Sequence, residues 1–106
     1  MIVTTCEQIA GKRVVKTLGL VKGNTIRARH LGRDIGAAIR NLIGGEVKEY
    51  TKLLAEAREQ SVDRMKEDAK ALGANAIIMA RFSTSEIMSG AAELLAYGTA
   101  VVVEEA

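Results

Sequence analysis

Residues 94–104 read LLAYGTAVVVE, and the placement of that run decides the fold. Its β-branched and aromatic residues make it a strand. Successive side chains of a strand point to opposite faces of the sheet. Here Leu94, Ala96, Gly98, Ala100 and Val102 fall on one face, and Leu95, Tyr97, Thr99, Val101 and Val103 on the other. Both faces are apolar. Ile77, Ile78 and Met79, within AIIMARFST at 76–84, repeat the behaviour in a second strand. An antiparallel sheet covered on one side should instead alternate apolar with polar residues. A second apolar face is too large a patch for a monomer to leave in water, which predicts a homo-oligomer.

What covers the first face lies earlier in the chain. From residue 31 the apolar period becomes helical, with Leu31, Ile35, Ile39 and Leu42 on one side and Gly44-Gly45 as the stop. A second helix is predicted over 46–72, where Val47, Tyr50, Leu54, Ala57, Ser61, Met65, Ala69 and Leu72 trace a stripe. Gly73 caps it, and Lys52–Glu56 and Arg64–Asp68 read as solvated i,i+4 pairs. MIVTT at 1–5 reads as a short strand and RVVKTLGLVKGNTIRAR at 13–29 as a long one interrupted near Gly19 and Gly23-Asn24. Gly-Asn there is either a hairpin turn or a bend in one strand. SEIMSGAAE at 85–93 reads as a loop or a broken edge strand. The order β–β–α–α–β–β gives an α+β two-layer sandwich, an antiparallel sheet with two helices on one face.

A chain of 106 residues is one domain. Folded as a compact monomer it would expose roughly 5,700 Å². Tyr50, Phe82 and Tyr97 are its only aromatics, so the core is built from aliphatic residues and alanine, which bury little area each. The net charge of +2 is too small to argue for nucleic acid. No apolar run approaches a membrane span, and the N-terminus lacks a signal-peptide core, so a soluble cytoplasmic protein without membrane contact is expected.

Two blocks, GNTIRARHLGRDIGAAIRNLIGGEVKEYTKLLAEAR at 23–58 and ALGANAIIMARFSTSEIMSGAAELLAYGTAVVVE at 71–104, together with the opening IVTT, resemble the YbjQ-like family. Its members are small bacterial and archaeal proteins often labelled as heavy-metal-binding and of unknown function. The resemblance spans nearly the whole chain. It implies a dodecin-like βαββ core with an additional N-terminal strand and helix, assembled as a ring, commonly a pentamer. It also favours the bent-strand reading of 13–29. It supplies no demonstrated activity.

Three places in the chain are candidate sites. A thiolate or imidazole metal centre needs three or four converging ligands, and the chain has one cysteine, Cys6, and one histidine, His30. No metal ligand and no cofactor is therefore assigned, and Cys6 stands where similar sequences tend to carry threonine. The stretch GNTIRARHLGRDIG at 23–36 gathers Arg27, Arg29, His30 and Arg33 at a strand-to-helix junction, a combination able to clamp a small anion. The blander reading pairs Arg27 or Arg29 with Asp34, Glu46 or Glu93, within or between subunits. STSEIMSGAAE at 83–93 offers serines without a histidine beside them and two carboxylates, Glu86 and Glu93. No catalytic residue is assigned, and a composite enzyme site using His30 with Glu86 or Glu93 ranks last. Ile87 and Met88 at that tip, with Leu95, Tyr97, Val101 and Val103, are the expected oligomer contacts.

Overall fold

A computed structural model describes the backbone of residues 1–28, 45–88 and 91–106, and the side chains of 1–26, 51–87 and 91–106. The elements are β1 (Ile2–Val3), β2 (Lys12–Ala28), α1 (Gly45–Ala71), β3 (Ala76–Met88) and β4 (Ala91–Glu105). The fold is α+β. The four strands form one sheet in the order β1-β3-β4-β2, with α1 packed on one face. The first expected helix, over 31–42, lies outside the described residues.

The sheet is mixed, which corrects the expectation of a wholly antiparallel one. β2 and β3 each run antiparallel to β4, but β1 runs parallel to β3. The cause is the connection after β1. Residues 4–11 do not turn back as a hairpin but cross the sheet from the β3 edge to the start of β2 at the opposite edge. Ile9, midway along this crossing, packs on Ala76, Val101 and Val103. A two-residue strand carries too little pattern for its partner to be read from sequence.

The long strand is one strand and not a hairpin. It pairs with β4 from Lys12↔Glu105 to Ala28↔Ala91, and its irregularities lie at Val14/Lys16 and Thr17/Gly19, not at Gly23-Asn24. Gly23 answers to a different demand. A Cβ placed there would lie 2.3 Å from the Ser61 carbonyl oxygen and 2.4 Å from the Met65 nitrogen, both backbone of α1. Only glycine lets the helix come this close to the strand. Of the two readings of 85–93, the broken strand holds: Ser85 to Met88 join the ladder to β4, with a register shift between Glu86 and Met88.

The helix stripe is confirmed in its middle. Ala57, Ser61, Met65 and Ala69 are buried against Val21, Ile77, Ala96 and Ala100, whereas Leu72 is half exposed beyond the end of the helix. The C-terminus closes as a Schellman motif: Ala74 N–H donates to the Ala69 carbonyl and Gly73 N–H to that of Lys70, with Gly73 at φ 90°. One polar group enters this core. Ser61 Oγ donates to the Leu94 carbonyl at 2.9 Å and lies 2.8 Å from Thr25 Oγ1. A hydroxyl has one proton, and Ser61 spends it on a carbonyl, so Thr25 is the donor of the pair.

Candidate functional site

The features with functional content are the face of the sheet opposite α1 and its two edges. Cross-strand partners share a face. Leu20↔Thr99, Lys22↔Tyr97, Asn24↔Leu95 and Ile26↔Glu93 therefore lie opposite the helix. This face divides into two unequal parts, one covered and one open. At the Val101–Val103 end Ile9 and the crossing segment cover it, and Asn75 pins the corner with both ends of its side chain: Nδ2–H donates to the Val103 carbonyl at 2.9 Å, and Oδ1 accepts from Val103 N–H at 2.8 Å. At the other end Leu20 is 68% exposed, Ile26 54% and Tyr97 36%. The expected second apolar face is thus half covered by the chain itself.

The predicted contact residues separate along this line. Val101 and Val103 are buried within the chain. Leu95 is half buried and Tyr97 exposed on the open part of the face, and Ile87 is exposed near the end of β3. The Met88 side chain lies outside the described residues, although its backbone pairs with Ala91.

The edges carry the finding that sequence missed. Arg64 and Asp68 are not a solvated pair. Arg64 Nη1 donates to the Asn24 carbonyl at 2.6 Å, and Asp68 Oδ2 accepts from Lys22 N–H at 3.1 Å. Two charged side chains of α1 thus reach over β2 and occupy backbone groups that point away from β4. Charges placed on an exposed strand edge obstruct pairing with another chain. On the far edge of the sheet, residues 4–6 do a similar job for the first part of β3. Thr4 N–H donates to the Ile77 carbonyl, Met79 N–H to that of Cys6 and Ala80 N–H to that of Thr4. Arg81 Nη1 fastens this cover by donating to the Thr5 and Ala80 carbonyls, each at 2.9 Å. Beside it an apolar cavity of about 140 Å³ opens between Val3, Val62, Met65, Ala80 and Phe82. Phe82, at its mouth, is 52% exposed. The only signal in the sequence for these devices was the i,i+4 spacing of Arg64 and Asp68, which a surface pair shares.

For the proposed anion clamp, the backbone of Arg27 pairs with Ala92 at the end of β2. Arg29, His30 and Arg33 lie outside the described residues, as does the Arg27 side chain. Glu93 accepts from Asn24 Nδ2 at 3.2 Å, within the chain. Glu86 stands opposite Ala92 and Glu93 opposite Ser85, so the two carboxylates belong to opposite faces of the sheet and do not converge.

The family model described as "Putative heavy-metal-binding" matches residues 1–104. The chain belongs to the YbjQ family. Among its relatives are UPF0145 proteins of Dehalococcoides mccartyi, 59% identical over 98% of this chain and 100% of theirs, and of Thermotoga maritima, 56% identical over 99% of each. A UPF0145 protein of the archaeon Methanosarcina acetivorans is 54% identical over 97% of each chain. The crystal structure of a Pediococcus pentosaceus protein of unknown function, from the DUF74 family, superposes with a TM-score of 0.67 over 98% of each chain at 15% identity. That likeness concerns the fold. Cys6 is exposed and free, and among the described residues no three His, Cys, Asp or Glu side chains gather to hold an ion. No helix among them is long and apolar enough to cross a membrane.

Proposed function

We propose that this YbjQ-family chain is a ring-forming homo-oligomer, a pentamer, whose role is assembly and binding and not catalysis. The open half of the face opposite α1, with Leu20, Ile26 and Tyr97 exposed in one sheet, is the observation that carries the reading. Size and shape support it. The chain exposes 6736 Å², about 1,000 Å² more than a compact monomer of its mass. That excess is of the order of the roughly 800 Å² each partner gives to a standard interface. Its radius of gyration is 16.8 Å, against about 13 Å for a compact domain of this length. The dodecin-like βαββ core with an additional N-terminal strand and helix, and two helices on one face of the sheet, belongs to the same proposal. A reducing, cytoplasmic setting suits the free and exposed Cys6.

Light scattering on a sizing column tests the reading. A ring of five 11.3 kDa chains elutes at about 57 kDa. A mass of one chain at micromolar concentration refutes it. A second reading, small-anion binding by Arg27, Arg29, His30 and Arg33, is favoured by the continuation of β2 as far as Ala28, which sets the first of these residues at a sheet edge. Repeated around a ring, the cluster provides equivalent sites. A thermal-shift panel of phosphates and carboxylates tests it. The reading fails if Arg27→Ala/Arg29→Ala responds to every anion as the wild type does.

A further inference from the structure

Among the described residues, the two edges of the sheet leave different groups free. In an antiparallel strand, residues turn their N–H and C=O alternately toward and away from the partner. Lys22 and Asn24 bond α1 side chains, so they face outward, and with them Leu20 and Ile26; Val21, Gly23, Thr25 and Arg27 bond β4. The same alternation carried across β4 sets Arg81, Ser83 and Ser85 toward β4 and Phe82, Thr84 and Glu86 outward. Cover from the N-terminal segment stops at Ala80. Among the described residues, nothing bonds the outward backbone groups of Ile26, Thr84 or Glu86.

These free groups lie at one level. Thr84, Leu94 and Thr25 make one row across β3, β4 and β2; Ser85, Glu93 and Ile26 make the next; Glu86, Ala92 and Arg27 the third. β2 and β3 also run in the same direction, since both oppose β4. A second copy rotated about an axis along the strands therefore sets its β2 parallel to this β3, without sliding. A head-to-tail contact that does not climb closes into a ring, whereas one that climbs makes a filament.

Resting on the oligomer reading above, we infer that the occupant of the free β3 edge is a second copy, joined by parallel pairing of Thr84–Glu86 with residues 26–28 of the partner's β2. In the level register Glu86 N–H donates to the carbonyl of the partner's Ile26, and the N–H of the partner's Ile26 donates to the Thr84 carbonyl. The joint ends where Arg64 and Asp68 guard β2, so it is short and fixed in register. It also sets opposite charges in one row. Glu86 makes no ion pair among the described residues, and position 27, opposite it across the joint, is an arginine.

Light scattering of the full-length chain, with circular dichroism on the same samples, tests the joint. Ile26→Pro removes an outward N–H and leaves the ladder to β4 intact, as proline at a strand edge can. It is expected to keep the wild-type spectrum and to elute as a single chain. Thr25→Pro removes a ladder N–H and is expected to lose the fold. Glu86→Lys is expected to dissociate the ring, and Glu86→Lys with Arg27→Glu to restore it. The charge swap decides the matter should Ile26→Pro misfold. An assembled Ile26→Pro, or a swap no better assembled than Glu86→Lys alone, overturns the joint and leaves the oligomer standing. A monomeric wild type overturns both.

Discussion

Gly23→Ala is the most exacting test of how the helix meets the sheet. The new Cβ would sit 2.3 Å from the Ser61 carbonyl oxygen and 2.4 Å from the Met65 nitrogen. Ordinary contact needs about 3.4 Å, so strand and helix must part by roughly 1 Å. Neither obstacle is the end of a flexible side chain. The movement would also loosen the buried Thr25–Ser61 hydrogen bond, which is 2.8 Å long, and the packing of Met65. Overpacking alone costs about 1–3 kcal/mol, and a weakened buried hydrogen bond adds about 1 kcal/mol. A loss of about 3 kcal/mol is expected, equivalent to a fall in Tm of roughly 10–20 °C for a chain of this size. Urea and thermal melts at one fixed protein concentration measure it, since self-association would make apparent stability depend on concentration. Asn24→Ala is the companion variant: one residue along the same strand, on the other face, expected to cost about 0.5 kcal/mol or less. A Gly23→Ala loss below about 1 kcal/mol would refute the claim that backbone contact at this glycine sets the helix position.

Other consequences follow from single contacts. Ser61→Ala leaves the Leu94 carbonyl and the Thr25 hydroxyl without their partner in the core and should cost about 1–3 kcal/mol, read by urea melt. Adding Thr25→Val should recover part of that loss, and strict additivity would mean the two hydroxyls are not coupled. Asn75→Ala removes two hydrogen bonds to Val103 and should destabilise by about 2 kcal/mol, with faster amide exchange at Val103. Arg64→Ala/Asp68→Ala uncovers the middle of β2. Its secondary structure should be unchanged by circular dichroism while light scattering reports aggregation above the wild-type mass.

How much of this was legible depended on whether a feature is local. The helix stripe through Ala57, Ser61, Met65 and Ala69 was readable because period and burial are set by one face of one element. The two-faced character of β4 was readable for the same reason. What closes its second face was not, because Ile9 reaches Val101 and Val103 through a crossing of the sheet that no periodicity encodes. Gly23 shows the ambiguity at its sharpest. Beside Asn24 it has the composition of a hairpin turn, yet its role is to admit a helix from 38 residues downstream, at Ser61. Arg64 and Asp68 misled in the opposite direction: their spacing is that of a common surface pair, and only the lie of α1 over β2 reveals that they bond the strand.

The guarded edge bears on the assembly proposed above. β2 is 17 residues long and lies at an edge, a feature that invites uncontrolled pairing. Its first half is broken by two register shifts, which bend the strand and disrupt a flat ladder. Its middle is capped by Arg64 and Asp68. Each device costs something: unpaired residues at the bulges, and two charged side chains held in fixed geometry. In the proposed ring, the short length of β2 left open among the described residues, level with the stretch of β3 that the N-terminal segment does not cover, would limit pairing to a single register and so favour closure over an open stack.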